Sequence, residues 1–456
     1  MKAGSLSEKR ISSLEAKRLE LIDMFENSVS YTPLTWCVAQ VIPIHKKGSV
    51  SDPSNFHPIS LTSTFRKILK CLYSTLEGES PDLDIAQGGF RSSRSTLDQT
   101  LCLVETCSIL RRKHKTTPTL AFLDIKSAYD TVDREHIWNT LQPTASPELL
   151  GLLRNLFDDV HIEVIVSNAS SYRFSPTTGV LQVSILSPFL YSLYINELPS
   201  LLRSQALDAV PTTNNPSKCA ILAPGSDTRS YSLYGTVLPR QTSLSHLGIP
   251  ISPGGYLNTN ELVQNNINKA LQTMNQMSAI GVNHKGFNQL LSVRFYTLIV
   301  RSQLEYGLAI SAVSSSNITK FETCQTQCIR RIFGGGSRSS TKIMLHLTNQ
   351  PTMKERVHRL QAKFLFRSIN APEDTLLSQL LAYLRTYASL SQWYKISKTP
   401  LWQRCCASHE IDDLDSRTFN TIYHEYLKDN LNARRNATNS LLLSACRSKL
   451  GIDPIL

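Results

Sequence analysis

Three acids fall within ten residues in Asp124-Ile-Lys-Ser-Ala-Tyr-Asp130-Thr-Val-Asp133, and carboxylates so spaced can ligate a divalent cation, move a proton or cap a helix. Asp124 sits near the end of the apolar run TLAFLDI, residues 119–125, which has the length and composition of a buried strand. An acid delivered there is costly unless it is paired or binds a cation, so Asp124 reads as a metal ligand or as a salt-bridge partner. Asp133, just ahead of Arg134-Glu-His-Ile-Trp, reads as a helix N-cap, and Asp130 as solvent-facing. Far along the chain, Arg356, Arg359, Lys363 and Arg367 recur every three or four residues beside Val357, Leu360 and Phe364. One helical stripe of cations can follow phosphates, or it can be a solvated face. Arg330 and Arg331, before a run of three glycines, are open to the same two readings.

Positioning these groups requires a scaffold whose outline is legible. Ser5 and Glu8 form a capping box ahead of Ile11, Leu14, Leu21, Ile22 and Phe25, which predicts a helix over residues 5–27. Pro33, Pro43, Pro53 and Pro58 around VAQVIPI predict short extended segments. A helix is expected from Thr96 to about Lys113, where Arg111 to Lys115 complement the negative end of its dipole. Ser146-Pro147 starts another, ending near Asp159, and the alternation from Val160 to Val166 followed by Tyr172-Arg-Phe174 predicts a hairpin. Beyond about residue 255 the pattern is helical, as in Ile318, Phe321, Cys324, Cys328 and Ile332, closed by Gly334 to Gly336. Fold class α+β follows, with an all-helical back half.

Composition narrows the partners. The 456 residues carry 48 Lys+Arg against 36 Asp+Glu, a net charge of +12. At roughly 150 residues per packed unit the length implies about three units. A charged fraction of 18% is below average, so the positive excess reflects scarce acids, a pattern suited to a polyanionic partner. The ten cysteines lack the paired spacing of a disulfide scaffold or zinc ribbon, which points to reduced thiols and an intracellular protein, nucleus and cytoplasm not being distinguishable. The N-terminus is too charged for a signal peptide, and no stretch has the apolar length of a membrane span.

LDIKSAYDTVD resembles the first palm motif of reverse transcriptases of non-LTR retrotransposons, and the flanking segments agree in order. VIPIHKKG and NFHPISLTSTFRKI resemble the fingers segments, and QGGFRSSRSTLDQ the element after them. TTGVLQVSILSPFLYSLYINEL is similar to the Gln-Gly motif, and NPSKCAIL and SHLGIPI to later palm elements. The resemblance implies a right-hand polymerase with fingers and palm, an RNA template, a DNA primer and Mg²⁺. It implies Asp124 as the first catalytic metal carboxylate and Ile125 as a backbone metal ligand. Lys46 or Lys47 would meet the incoming triphosphate, or stand in a solvated turn. Tyr129 would screen the ribose 2′ position, or be an ordinary palm aromatic, and Gln182 would contact the incoming nucleotide. Arg91, Arg94, Arg330, Arg331, Arg356, Arg359, Lys363 and Arg367 are the candidate nucleic-acid contacts.

The departures from that pattern bear on activity. The family's Ala-Asp-Asp hairpin, which supplies the second metal carboxylate, belongs between residues 198 and 214, where this chain reads PSLLRSQALDAVPTTN. Asp208 is a remnant or a coincidence, and one carboxylate cannot hold two ions about 4 Å apart. His57 stands where relatives have arginine, and Leu181 and Val183 where they have proline and glycine. The missing strands predict an unpaired, apolar edge beside the Asp124 strand. A coding stretch treated as an intron would explain the same gap. The expected organisation is an N-terminal helix (1–30), fingers (31–118), a palm with an incomplete antiparallel sheet (119–254), a helical thumb (255–370) and a helical tail (371–456). No endonuclease region or zinc knuckle accompanies them, so the sequence reads as a fragment or decayed copy. Three functions fit: a reverse transcriptase impaired in catalysis, a nucleic-acid-binding remnant, or a helical interaction protein.

Overall fold

The computed structural model describes residues 37–46, 48–62, 70–182, 184–204, 216–386, 391–408 and 414–436. The chain divides into two units, Met1–Ser92 with Leu123–Lys218, and Ser93–Phe122 with Cys219–Leu456. In chain order the first elements are β1 (Val38–His45), β2 (Phe56–Thr62), α1 (Lys70–Gly78), α2 (Thr96–His114), β3 (Leu120–Phe122), α3 (Arg134–Leu141) and α4 (Pro147–Asp158). They are followed by β4 (His161–Val166), β5 (Ala169–Ser170), α5 (Ser187–Tyr194), α6 (Leu198–Ser204) and β6 (Ala220–Leu222). Short strands occupy residues 232–257, and the longest helices after them are α7 (Thr259–Ala279), α8 (Ser315–Phe333), α9 (Met353–Ile369), α10 (Leu376–Thr386) and α11 (Ser416–Asn436). The α+β class with a helical back half holds. The helix expected over residues 5–27 lies outside the described residues, as do Lys47, Val183 and Asp208.

The first unit carries a four-stranded sheet in the order β2-β1-β4-β5. β1 and β2 are antiparallel, with Ile42 opposite Ile59 and Ile44 opposite His57, whereas β1 and β4 run parallel. Side chains alternate across a pleated sheet, so Ala39 and Val41 are buried on one face while Gln40, Ile42 and Ile44 are exposed on the other. A separate core gathers Trp138 and Leu141 from α3, Leu153 and Phe157 from α4, and Phe189 and Leu190 from α5. Asp133 starts α3 as expected, its Oδ1 accepting the Glu135 N–H at 3.0 Å. Pro147 opens α4, but Ser146 does not cap it. The Ser146 N–H and hydroxyl instead donate to Glu79 Oε2 at 2.7 and 2.8 Å.

In the second unit α2 runs as the sequence predicts, capped by Ser95 and ending in the basic Arg111 to His114 turn. Phe321, Cys324, Cys328 and Ile332 of α8 are buried together, and Gly334 ends the helix at φ +68°, with its N–H on the Arg330 carbonyl. The described cysteines form no disulfide.

One expectation about the Asp124 region is corrected. The strand shrinks to the three residues of β3, none of them buried, and Asp124 lies two residues past its end. β6 lies antiparallel to one edge of β3, with Leu120 opposite Leu222 and Phe122 opposite Ala220, and no strand among the described residues pairs with the other edge, as the missing hairpin predicts.

Candidate functional site

Two segments of the first unit are locked together at the centre of the candidate site. The Gly179 N–H donates to the Val132 carbonyl at 2.7 Å, and the Val180 N–H to the Tyr129 carbonyl at 2.8 Å. Gly179 adopts φ +88°, and a Cβ there would stand 2.8 Å from the Asp130 carbonyl oxygen, so only glycine allows this approach. The lock lays Gln182 beside Asp130, with Nε2 donating to Oδ1 at 3.3 Å. Asp130 is solvent-facing as expected, and that amide is its partner. A cavity of about 290 Å³ opens here, walled by Val41, Ser60, Phe157 and Thr177 with Asp130 and Gln182 supplying polar groups. Tyr129 is half-buried against Tyr191, ring centroids 5.3 Å apart, and burial raises its hydroxyl above the usual tyrosine range. Burial, then the neighbouring Tyr129 and Tyr194, pushes Tyr191 up to about 12, so this aromatic cluster stays neutral.

Arg134 anchors the arrangement. Its Nε lies 3.0 Å from Asp158 Oδ1, and its other nitrogens donate to the carbonyls of Phe157 at 2.7 Å and Pro176 at 2.8 Å. Trp138 Nε1 donates to the other Asp158 oxygen at 3.1 Å. Burial raises the Asp158 carboxyl while Arg134 opposes the rise. Sequence reading passed over this pair. The available signal was a cation in the first turn of a helix, where the dipole disfavours it unless an acid answers.

Asp124 is 45% exposed, and the Lys218 ammonium lies 3.5 Å from its Oδ2. This geometry is that of the salt bridge, one of the two arrangements open in the sequence. The desolvation argument for a metal is corrected by the exposure, because water can solvate the carboxylate. Among the described residues no group of three or more His, Cys, Asp or Glu side chains converges. A carboxylate facing an ammonium, with no second acid converging on it among the described residues, does not fit a site for two divalent ions, which needs several anionic oxygens shared between them.

The other candidates are scattered and mostly engaged. Lys46 is exposed just past β1, its N–H on the Asn55 carbonyl at 2.8 Å. His57 is exposed on β2, and Leu181 is buried with Ala39 and Val160. Arg91 donates to the carbonyls of Asp84 and Gln87 at 3.3 and 3.2 Å. In the second unit, Arg94 is buried on Asp374 at 2.6 Å. Arg330 fastens the Ser339 carbonyl at 2.9 Å, and Arg331 donates to Asn275. The row of free cations expected on α9 is corrected. Arg356 grips Glu305 with two bonds of 2.6 Å, Arg359 covers the Tyr423 ring at 4.4 Å, and Arg367 pairs with Asp98. Only Lys363 of the four is exposed with no side-chain partner among the described residues. Periodicity located the helix but could not show that its basic side packs against neighbouring elements.

The same helix carries a buried imidazole. His358 Nδ1 meets Tyr426 Oη at 2.6 Å, and burial, then Lys354, pulls its pKa down from 6.5 to about 4. The unfolded chain therefore binds the proton first. Stability from this group is full above pH 6.5 and falls as the pH drops toward 4, by on the order of 3 kcal/mol in total. Urea midpoints between pH 7 and 4.5 are expected to fall more steeply in the wild type than in His358→Gln. Parallel profiles would remove His358 from the acid transition.

Residues 44–223 match the reverse transcriptase (RNA-dependent DNA polymerase) family. The RNA-directed DNA polymerase from mobile element jockey of Drosophila melanogaster is 23% identical over 429 residues, 82% of this chain and 46% of that protein. The probable RNA-directed DNA polymerase from transposon BS of Drosophila melanogaster is 30% identical over 177 residues, 38% of this chain and 19% of that protein. The Pol polyprotein of the type-1 retrotransposable element R2 of Popillia japonica is 27% identical over 195 residues, 42% of this chain and 27% of that protein. The chain thus spans less than half the length of these relatives. A looser likeness, to apo telomerase from Candida tropicalis, has a TM-score of 0.36 at 12% identity over 80% of this chain and 70% of that one. Reverse transcriptases generally work with a divalent metal on a nucleic-acid template and primer, and no helix among the described residues is long and apolar enough to cross a membrane. The shared palm and fingers motifs, with a family match from β1 through β6, make residues 44–223 similar to the reverse transcriptase domains of non-LTR retrotransposons.

Proposed function

We propose that this protein engages an RNA template and a DNA primer through its reverse transcriptase domain but does not catalyse templated nucleotide addition. The observation that carries this reading is the pairing of Asp124 with Lys218 at 3.5 Å where the family places Mg²⁺. Gly179 still holds Gln182 beside the Asp130 turn, and Tyr129 packs against Tyr191 next to it in sequence, which supports retained recognition of a nucleotide or a primer end. The departures at His57 and Leu181 weaken the same path, since at His57 an imidazole replaces a bidentate phosphate fork.

Primer extension on an RNA template with Mg²⁺ or Mn²⁺ is expected to give no product above background, with Asp124→Ala indistinguishable from wild type. Extension that Asp124→Ala abolishes would overturn the reading. A second explanation has its own observation, the orderly motifs on both sides of the gap. Genomic DNA between the codons for Leu198 and Asn214 is the test, and an in-frame Ala-Asp-Asp run there would restore the catalytic assignment.

A further inference from the structure

In the second unit one acid and two arginines are arranged with the acid inside and the cations outside. The Asp227 side chain is 7% exposed, whereas Arg229 is 74% and Arg240 39% exposed. Arg229 Nε and Nη2 donate to the two carboxylate oxygens at 3.1 Å each, and the Thr119 and Tyr231 hydroxyls donate to Oδ2. Arg240 donates to the carbonyls of Asp227 and Arg229 and lies beside Ile221 of β6. The cluster contains a carboxylate, yet it presents guanidinium to solvent.

A second cation–aromatic pair adjoins it. Arg111, near the end of α2, covers the exposed Tyr256 ring at 3.8 Å and donates to the Gly254 carbonyl. Gly254, at φ +80°, lies so close to Thr117 that a Cβ would strike its methyl group. Thr117 thus touches the Tyr256 turn while Thr119 holds Asp227, and at most about 7 Å of chain joins the two pairs. Lys113 and Lys115 are exposed just before Thr117, and Tyr234 is exposed at the tip of the hairpin that follows Tyr231. Across residues 106–119 and 219–258, six lysines and arginines stand against the single acid Asp227, and that acid is covered. Dipole complementation accounts for the lysines at the end of α2, but not for two arginines brought from more than a hundred residues away around a covered carboxylate.

We infer that this surface holds a single strand of RNA, with Arg229, Arg240, Lys113 and Lys115 on phosphates and the Tyr234 and Tyr256 rings against unpaired bases. The inference rests on the proposed RNA template and assigns an unpaired stretch of it to the second unit. Exposed aromatic faces suit unpaired bases better than a duplex, whose bases are already stacked. The guanidiniums, fixed by Asp227 and by backbone carbonyls, lose little freedom on binding.

The test titrates the full chain in parallel with a short labelled unstructured RNA and with a blunt RNA–DNA duplex. Lys113→Gln combined with Lys115→Gln is expected to weaken single-strand binding roughly tenfold, to lower its salt slope by about 1.4 and to leave duplex binding unchanged. Arg229→Gln, which leaves Arg240 on Asp227, should lower the slope by about 0.7. Tyr234→Ala should weaken the single strand about fivefold or more with the slope unchanged, because stacking carries no counterion release. A wild type that does not bind the RNA overturns the inference, as do variants with wild-type affinity for it or an equal loss on both probes. RNA binding that the variants lose, in a protein that ignores the duplex, supports this surface and instead removes the primer–template reading.

Discussion

Arg134→Met is expected to destabilise the first unit by about 3 kcal/mol, because it strands a partly buried carboxylate and several carbonyls at once. The guanidinium, 8% exposed, is shared among Asp158, the Phe157 carbonyl at the end of α4 and the Pro176 carbonyl of the loop that leads to Gln182. Methionine nearly preserves the volume, so the loss reports the bonds and not a cavity. Asp158 is 36% exposed and can recruit water, which keeps the cost at the lower end of the range for broken buried pairs. Hydrogen exchange of the α3 and α4 amides measures the first unit alone, which a global melt of a two-unit chain would not. A change below about 1 kcal/mol would mean that the network is incidental. Asp158→Asn, which keeps a partner for Trp138, should cost less, and the double variant should be less damaging than the sum.

Arg356→Ala and Lys363→Ala should separate stability from binding, although both replace a cation on the same helix. Glu305 is 9% exposed and held by Arg356 at 2.6 Å and by Arg301 at 3.3 Å. Burial, then the adjacent Arg356 cation, pulls Arg301 below the usual arginine range, so the two guanidiniums repel each other while sharing Glu305. Loss of Arg356 is expected to cost about 3 kcal/mol of second-unit stability. Exposed Lys363 should cost less than about 0.5 kcal/mol. If the domain holds a primer–template duplex, Lys363→Ala is expected to lower the salt slope of binding by about one. An unchanged slope takes Lys363 off the nucleic-acid surface, and a harmless Arg356→Ala contradicts the buried triad.

The α+β class, the N-cap at Asp133, α2, α4, α8 and α9 were all legible in the chain. Their signals are local: a cap, a proline at the first turn, an apolar period, a glycine after the last turn. The family was legible for the same reason, since its motifs are short runs read in order. What the charged side chains do was not. The spacing of Arg356, Arg359, Lys363 and Arg367 is that of a phosphate stripe, yet Glu305, Tyr423 and Asp98 come from elsewhere in the chain to meet three of them.

Tertiary structure also decided the fate of Asp124 and of the strand before it. By sequence alone Asp124 could face a metal or a cation, since both satisfy a carboxylate, and only the fold brings Lys218 to it from nearly a hundred residues away. The gap between residues 198 and 214 announced missing strands, and only the fold shows that β6 takes one edge of β3 and that no described strand takes the other. Helix caps and periods are set by neighbours within a turn or two, whereas ion pairs and strand partners are set by where distant segments arrive. The sequence determined which elements form and which family they resemble, and the packing determined which charges remain free to do chemistry.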